Sequence, residues 1–183
     1  MTKYIVLGRF QPFHMGHAHL VKSAHGMLSS GDELVLAIGS KQAEWEPDNP
    51  WTATERQAMI QAWADAEEVV CSIVAIDDIN DPPNWVSHAS KTHGVGTLVT
   101  TDTSTSNLYK EAKFEVKDVE MNERERLEGW RVRQTAKMLS TVYDDDAVRE
   151  VLKASIPQPV IEWLIENDAL FRLSTFETGV YAG

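Results

Sequence analysis

The chain reads as an α/β protein of Rossmann-like type: a doubly wound parallel sheet of about five strands, followed by a helical C-terminal part. Three observations predict this. Short apolar runs of strand length alternate with segments of helical periodicity through the first 120 residues. One of those runs, 69–76, is apolar nearly throughout, as in a strand covered on both faces. After about residue 120 the pattern turns wholly helical. Strand–helix alternation implies parallel strands joined by right-handed crossovers. Nothing between 1 and 183 resembles a linker or a repeat, so one domain is expected, with an α/β core at 1–120 and a helical part at 121–170.

The elements follow in order. Tyr4-Ile5-Val6-Leu7 is a short buried strand, and 17–28 carries Leu20, Val21, Ala24, Met27 and Leu28 at helical spacing. A second strand covers 33–39, followed by a long polar loop, 41–51, closed by Asn49-Pro50. Thr52 and Glu55 have the spacing of a capping box, so a helix runs from there to about Ala66. The third strand is 69–76, the loop 77–84 is broken at Pro82-Pro83, and a short helix starts at Trp85. Thr97–Thr101 and 114–119 read as strands flanking a helix at 106–112, and helices are expected at about 128–139, 145–154 and 157–167. From Asp168 the tail is weakly patterned.

In such sheets ligands bind outside the carboxyl ends of the strands. The loops there are 8–17, 39–51, 77–85 and 101–105, and four loops rich in polar and aromatic residues should converge on one cleft. The first is the most informative. Gly8-Arg9-Phe10-Gln11-Pro12-Phe13-His14-Met15-Gly16-His17 is a strand-to-helix turn, with Gly8 and Gly16 where the backbone bends or approaches something closely. A helix start is an anion site, and His14 and His17 stand there to donate to phosphate oxygens. No Asp or Glu precedes Asp32, although formal net charge is -11, while Lys3, Arg9, Lys22 and histidines 14, 17, 19 and 25 lie in the same segment. An acidic chain does not draw polyanions by its overall field, so a polyanion site has to be local. The same charge argues against a nucleic acid polymer as partner. His19 and His25 read as ordinary helix-surface residues.

The single cysteine, Cys71, excludes an internal disulfide, fits a reducing cytoplasm, and reads as a buried small hydrophobe. No apolar run approaches a membrane span and no signal-peptide pattern opens the chain, so a cytoplasmic protein is expected. The glycine fingerprint of dinucleotide-binding dehydrogenases is absent from the first turn.

Residues 8–17 resemble the HxGH segment of the nucleotidylyltransferase superfamily, and Gly-Arg-Phe-Gln-Pro resembles, more specifically, the archaeal type of nicotinamide mononucleotide adenylyltransferase. Three further stretches are similar to that family, in the same order. They are Ile38-Gly39-Ser40-Lys41-Gln42 with 49–56, Asp77-Asp78-Ile79-Asn80 with 84–88, and Arg124-Glu125-Arg126 with Gly129 and Arg133. The likeness spans roughly residues 3–167. It implies in-line attack by the phosphate of nicotinamide mononucleotide on the α-phosphorus of ATP, giving NAD and pyrophosphate, with Mg²⁺ on the triphosphate. No enzyme nucleophile is needed: catalysis is positioning plus charge stabilisation.

By the resemblance, His14, His17 and Arg133 are catalytic, with the histidines on the triphosphate and Arg133 on the β- and γ-phosphates. Arg9 and Gln11 line the phosphate region, and Gly8, Phe10 and Gly16 belong to the substrate-binding set. Arg56 contacts a phosphate or, on the plainer reading, pairs with Glu55 or another surface carboxylate. Trp85 stacks on the nicotinamide ring or is core. Ile79 and Asn84 read the carboxamide, and Ser40, Asp102, Arg124 and Gly129 complete the substrate-binding set. Asp77 and Asp78 hold a metal or form a solvated turn; no protein metal ligand is named. Trp45 and Trp51 cover the cleft or a subunit contact, and a homo-oligomer, a hexamer in relatives of this type, is implied.

One departure stands out. The family's second motif usually reads Ser-Gly-Thr before a hydrophobic residue and Arg, whereas this chain has Glu128-Gly129-Trp130-Arg131-Val132-Arg133. Both hydroxyls are lost, and a carboxylate stands near the expected triphosphate unless Arg131, Arg124 or Mg²⁺ offsets it. Two other readings therefore stay open: a nucleotidylyltransferase with another acceptor or nucleotide, such as CTP with a phosphorylated alcohol, and a non-catalytic nucleotide-binding module.

Overall fold

A computed structural model describes residues 1–121, 125 and 127–176. The strands are β1 (Lys3–Gly8), β2 (Glu33–Ile38), β3 (Ser72–Ala75), β4 (Thr97–Thr100) and β5 (Glu115–Asp118). The helices are α1 (Met15–His25), α2 (Ala53–Ala66), α3 (Pro82–His93), α4 (Thr103–Glu111), α5 (Gly129–Met138), α6 (Asp145–Leu152) and α7 (Gln158–Glu166), and a 3-10 turn spans Phe171–Thr175. All strand pairs are parallel, in the order β3-β2-β1-β4-β5. Strand order reverses at β1, so the crevice at the switch point lies over the carboxyl ends of β1, β2 and β4.

Burial explains most of this arrangement. The central strands β1 and β2 place Ile5, Val6, Leu36, Ala37 and Ile38 out of reach of solvent. One core runs from these strands through Phe13, Trp63 and Met59 into the C-terminal helices by way of Val132, Val148, Ile161 and Leu164. Helices α5, α6 and α7 therefore share their apolar interior with the α/β part. Tyr109 and His93 close a smaller cluster on the other face, where Nε2 of His93 lies 2.8 Å from the Tyr109 hydroxyl.

Two local expectations need correction. The third strand covers Ser72–Ala75 instead of 69–76, and its residues are exposed or half-buried. It is the edge of the sheet, so one flank has no neighbour and Val70 stands 85% exposed just before it. Helix α3 starts at Pro82, with prolines in its first turn, instead of after them. The N–H groups of a first turn have no intrahelical partner, so proline loses nothing there and its fixed φ favours entry. No described helix is long and apolar enough to cross a membrane.

Candidate active site

Four loops do meet in one cleft. Its lining takes Leu7, Gly8 and Arg9 from the end of β1, Gly39 and Ser40 from the end of β2, Asp78 from the β3–α3 loop, Trp85 from the first turn of α3, and Thr105 from α4, around about 240 Å³. Phe10, Ser40 and Asn80 all have positive φ, at 52°, 47° and 49°. Left-handed backbone at side-chain-bearing residues is strained, and here it recurs just past the carboxyl ends of β1, β2 and β3, where ligand contact is expected.

The histidine pair is built by capping. His14 is the N-cap of α1: its Nδ1 accepts from the Gly16 N–H at 3.1 Å, and the His14 N–H donates to Nδ1 of His17 at 3.2 Å. The rings stack with centroids 3.7 Å apart. Because each Nδ1 accepts, each neutral ring carries its proton on Nε2, which is left as a donor. Burial, with Arg133 second, lowers the His14 pKa to about 4, and burial followed by the His14 charge holds His17 well below 6.5. Both rings are therefore neutral hydrogen-bond donors at pH 7. Gly16 makes the geometry feasible: a Cβ there would sit 3.0 Å from Cε1 of His14 and 3.1 Å from the Met121 sulfur.

The helix start itself is less open than a bare helix N-terminus. The Met15 N–H already donates to the Ser155 carbonyl at 2.8 Å and the Gly16 N–H to His14. Those two amides are therefore taken, and the features at this end that suit an anion are the imidazole Nε2–H groups, the helix dipole and nearby guanidinium groups.

Those guanidinium groups are Arg9, Arg56 and Arg133. Burial and then the charge of Arg9 lower the pKa of both Arg56, to about 10, and Arg133. Their mutual repulsion marks a site of concentrated positive charge in a chain of formal net charge -11. Arg133, 8% exposed, donates from Nη1 to the Gln11 carbonyl at 3.0 Å and reaches Asp48 at 3.5 Å. Gly129 lets it do so, since a Cβ there would lie 3.1 Å from Nη1 of Arg133. Arg9 lines the cleft and reaches Oδ1 of Asn49 at 3.3 Å.

Several expected contacts are reassigned by their partners. Arg56 is fully buried, and its guanidinium donates to the carbonyls of Thr52, Arg9, Gly39, Ser40 and Lys41. It braces the ends of β1 and β2 and adds positive potential, with its N–H groups committed to backbone carbonyls. It does not pair with Glu55, whose carboxylate goes to Arg172. The Gln11 amide is committed to the backbone of Trp51, donating to its carbonyl at 2.8 Å and accepting from its N–H at 3.0 Å. Asp102 caps α4, accepting from the N–H and hydroxyl of Thr105. Asn84 donates to Asp81 at 2.7 Å, and neither Asn84 nor Ile79 is among the residues lining the cleft. Trp51 is a core residue whose indole N–H donates to the Ala169 carbonyl, so it covers neither cleft nor subunit contact. Arg124 lies outside the described residues.

Trp85 is half-buried and lines the cleft with its neighbour Asp78, whose carboxylate accepts from the Asn80 N–H and sits 3.5 Å from the Ser40 hydroxyl. Among the described residues no group of three or more His, Cys, Asp or Glu side chains is placed to hold a metal. At the altered second motif, the Glu128 carboxylate accepts from the Trp130 indole at 2.6 Å and lies 3.6 Å from Arg131. Two local donors thus offset the charge that replaced a hydroxyl. Asp48 and Arg172 were not singled out from the sequence, and Asn49 only as a loop-closing residue; each acts through a partner between 40 and 127 residues away, which no spacing rule reveals.

Comparisons with known proteins agree with this geometry. Residues 5–158 match the cytidylyltransferase-like family model. The nicotinamide-nucleotide adenylyltransferase of Thermoplasma acidophilum is 33% identical over 175 residues, covering 94% of this chain and 90% of the relative. The enzyme of the same name from Haloarcula marismortui is 33% identical over 157 residues, covering 85% and 79%. Among solved structures, a bifunctional NMN adenylyltransferase/ADP ribose pyrophosphatase from Francisella tularensis, complexed with AMP and a Mn ion, superposes with TM-score 0.63 at 18% identity. The match takes 97% of this chain and 58% of that longer one, and at this identity it speaks to the fold alone. With the HxGH turn, the switch-point cleft and relatives matched over nearly their whole length, the chain belongs to the nicotinamide-nucleotide adenylyltransferases of the cytidylyltransferase-like family.

Proposed function

We propose that this cleft joins ATP to nicotinamide mononucleotide, releasing pyrophosphate and forming NAD. The observation that carries the reading is the juxtaposition of two neutral, Nε2-protonated imidazoles with the Arg9 and Arg133 guanidinium groups, with Arg9 lining the same cleft as Trp85. The triphosphate lies along the anionic side. His14 and His17 donate to its oxygens, and His17 strengthens its bond as charge builds on the α-phosphate in the transition state. Arg133 holds the far phosphates, and Arg9 lies between the two substrates. The mononucleotide enters the 240 Å³ cleft, where the Trp85 ring faces its cationic pyridinium and the Asp78 carboxylate complements that charge.

The reaction is an in-line displacement: a bond forms from the mononucleotide phosphate oxygen to the α-phosphorus while the bond to the pyrophosphate oxygen breaks. No side chain bonds to the substrate. Mg²⁺ entering on the triphosphate would offset phosphate charge.

Calorimetry with nicotinamide mononucleotide, NAD, ATP and CTP, beside an NAD-formation assay, tests the reading. Binding of the first three and turnover lost in His17→Ala with the fold intact are expected. Trp85→Ala should raise KM for the mononucleotide about tenfold or more, stacking being worth about 1–3 kcal/mol. Turnover with CTP and a phosphorylated alcohol, and none with the mononucleotide, would overturn it.

A further inference from the structure

The weakly patterned tail has a place in the site. Arg172, in the 3-10 turn after α7, is nearly buried, with its side chain 12% exposed. Its two terminal nitrogens grip the two oxygens of Glu55 at 2.6 and 2.7 Å, and Nη1 also donates to the Pro50 carbonyl at 2.9 Å. The same guanidinium lies 3.7 Å from the ring centre of Trp45, which is more than half exposed and whose backbone has φ 57°. A strained residue with an exposed indole would not hold one position unaided, and the cation against its face supplies the restraint. The fork thus joins the C-terminal turn to both ends of the segment 45–50 and to the first turn of α2.

That segment touches the phosphate site twice. Asn49 accepts from Arg9 at 3.3 Å and Asp48 from Arg133 at 3.5 Å. At its end, Trp51 is bonded in both directions to Gln11, and its indole returns to Ala169 beside the 3-10 turn. A continuous path of direct contacts therefore runs from Arg172 to the two guanidinium groups that face the phosphates.

We propose that Arg172 is a positioning residue for the reaction: by clamping Glu55, Pro50 and Trp45 it fixes the loop whose Asp48 and Asn49 aim Arg133 and Arg9 at the triphosphate. The inference rests on the adenylyltransferase reading for its kinetic consequence, but its binding consequence needs only an anionic triphosphate. Lysine does not replace the fork, because an ammonium group cannot meet two carboxylate oxygens and a ring face in one plane.

The test uses the full chain with two readouts, KM and kcat for ATP in NAD formation and calorimetric binding of inorganic triphosphate. Arg172→Ala and Arg172→Lys should weaken both KM for ATP and triphosphate affinity by about tenfold, the size of one misplaced charge-assisted hydrogen bond, with kcat changed less. Methylguanidinium should restore the Ala variant. Trp45→Ala keeps the Glu55 pair and removes a ring that is more than half exposed; it should shift both constants in the same direction by about threefold, a cation–π contact's share. Melting temperature is recorded for each variant. Variants that melt lower yet bind triphosphate and turn over ATP as the parent does would overturn the proposal, leaving Arg172 a stabilising residue only. A parent chain that binds triphosphate without making NAD would sink the functional reading while the binding arm still decides this one.

Discussion

Substituting Gly16 by alanine isolates catalysis from stability. An added Cβ meets Cε1 and Nδ1 of His14 at 3.0 and 3.1 Å and the Met121 sulfur at 3.1 Å. The thioether is flexible and gives way. The imidazole is held by its stack on His17, 3.7 Å between centroids, and by its bond to the Gly16 N–H. Relief requires a ring shift of a few tenths of an ångström, which lengthens the 3.1 Å cap bond and disturbs the stacked pair. Stability changes little: a lost cap costs about 1 kcal/mol, while alanine in place of glycine in a helix returns about 1 kcal/mol. Activity should not be spared, because a misplacement approaching 1 Å at reacting groups costs about 100-fold. The expected result is a melting temperature within about 4 °C of the parent, taking about 2–4 °C per kcal/mol at this size, and a kcat for NAD formation reduced by about 10- to 100-fold. A Gly16→Ala enzyme with kcat/KM within about twofold of the parent would show that the His14 ring position is not what the glycine protects.

Three further outcomes are expected. The folded His14 ionises at about 4 against 6.5 when free, so the unfolded chain takes up a proton that the folded one refuses as pH falls below 6.5. That stability is fully present above pH 6.5 and about 2 kcal/mol of it is gone by pH 5, with His17 adding in the same sense; denaturant midpoints should fall across this window, and less so in His14→Asn, which keeps a capping side chain. Arg56→Met leaves several buried carbonyls without a donor and should cost about 3 kcal/mol or more, a melting drop of about 6 °C or more. A raised KM for ATP in that variant with unchanged stability would instead make Arg56 a phosphate ligand. Glu128→Ser removes an exposed carboxylate from the start of α5 and should lower KM for ATP by up to about fivefold, with steady-state kinetics as the check. An unchanged or higher KM would mean that Trp130 and Arg131 already neutralise Glu128 fully.

Adjacency along the chain accounts for what the sequence alone determined. Apolar runs beside helical spacing gave β1 through α2, the Thr52–Glu55 cap formed as its spacing implied, and the 8–17 turn placed His14, Gly16 and His17 together. Those three positions interact within one helical turn, so their geometry follows from local backbone. Even the four-loop cleft was legible, since the parallel α/β rule says at which sheet edge loops meet.

Roles that depend on partners far along the chain were decided only by the tertiary structure. Residue type alone made Arg56 a candidate phosphate contact, and the fold closes five carbonyls from three separate segments around it. Gln11 and Trp51, 40 residues apart, satisfied each other's polar groups, and Asp102 turned to its own helix. Arg172 gave no sign of use in a tail without periodicity, yet it reaches Glu55 across 117 residues. A hydrogen-bonding side chain binds whichever complementary group burial brings within reach. Residue type sets what an arginine can hold, and packing alone sets what it does hold.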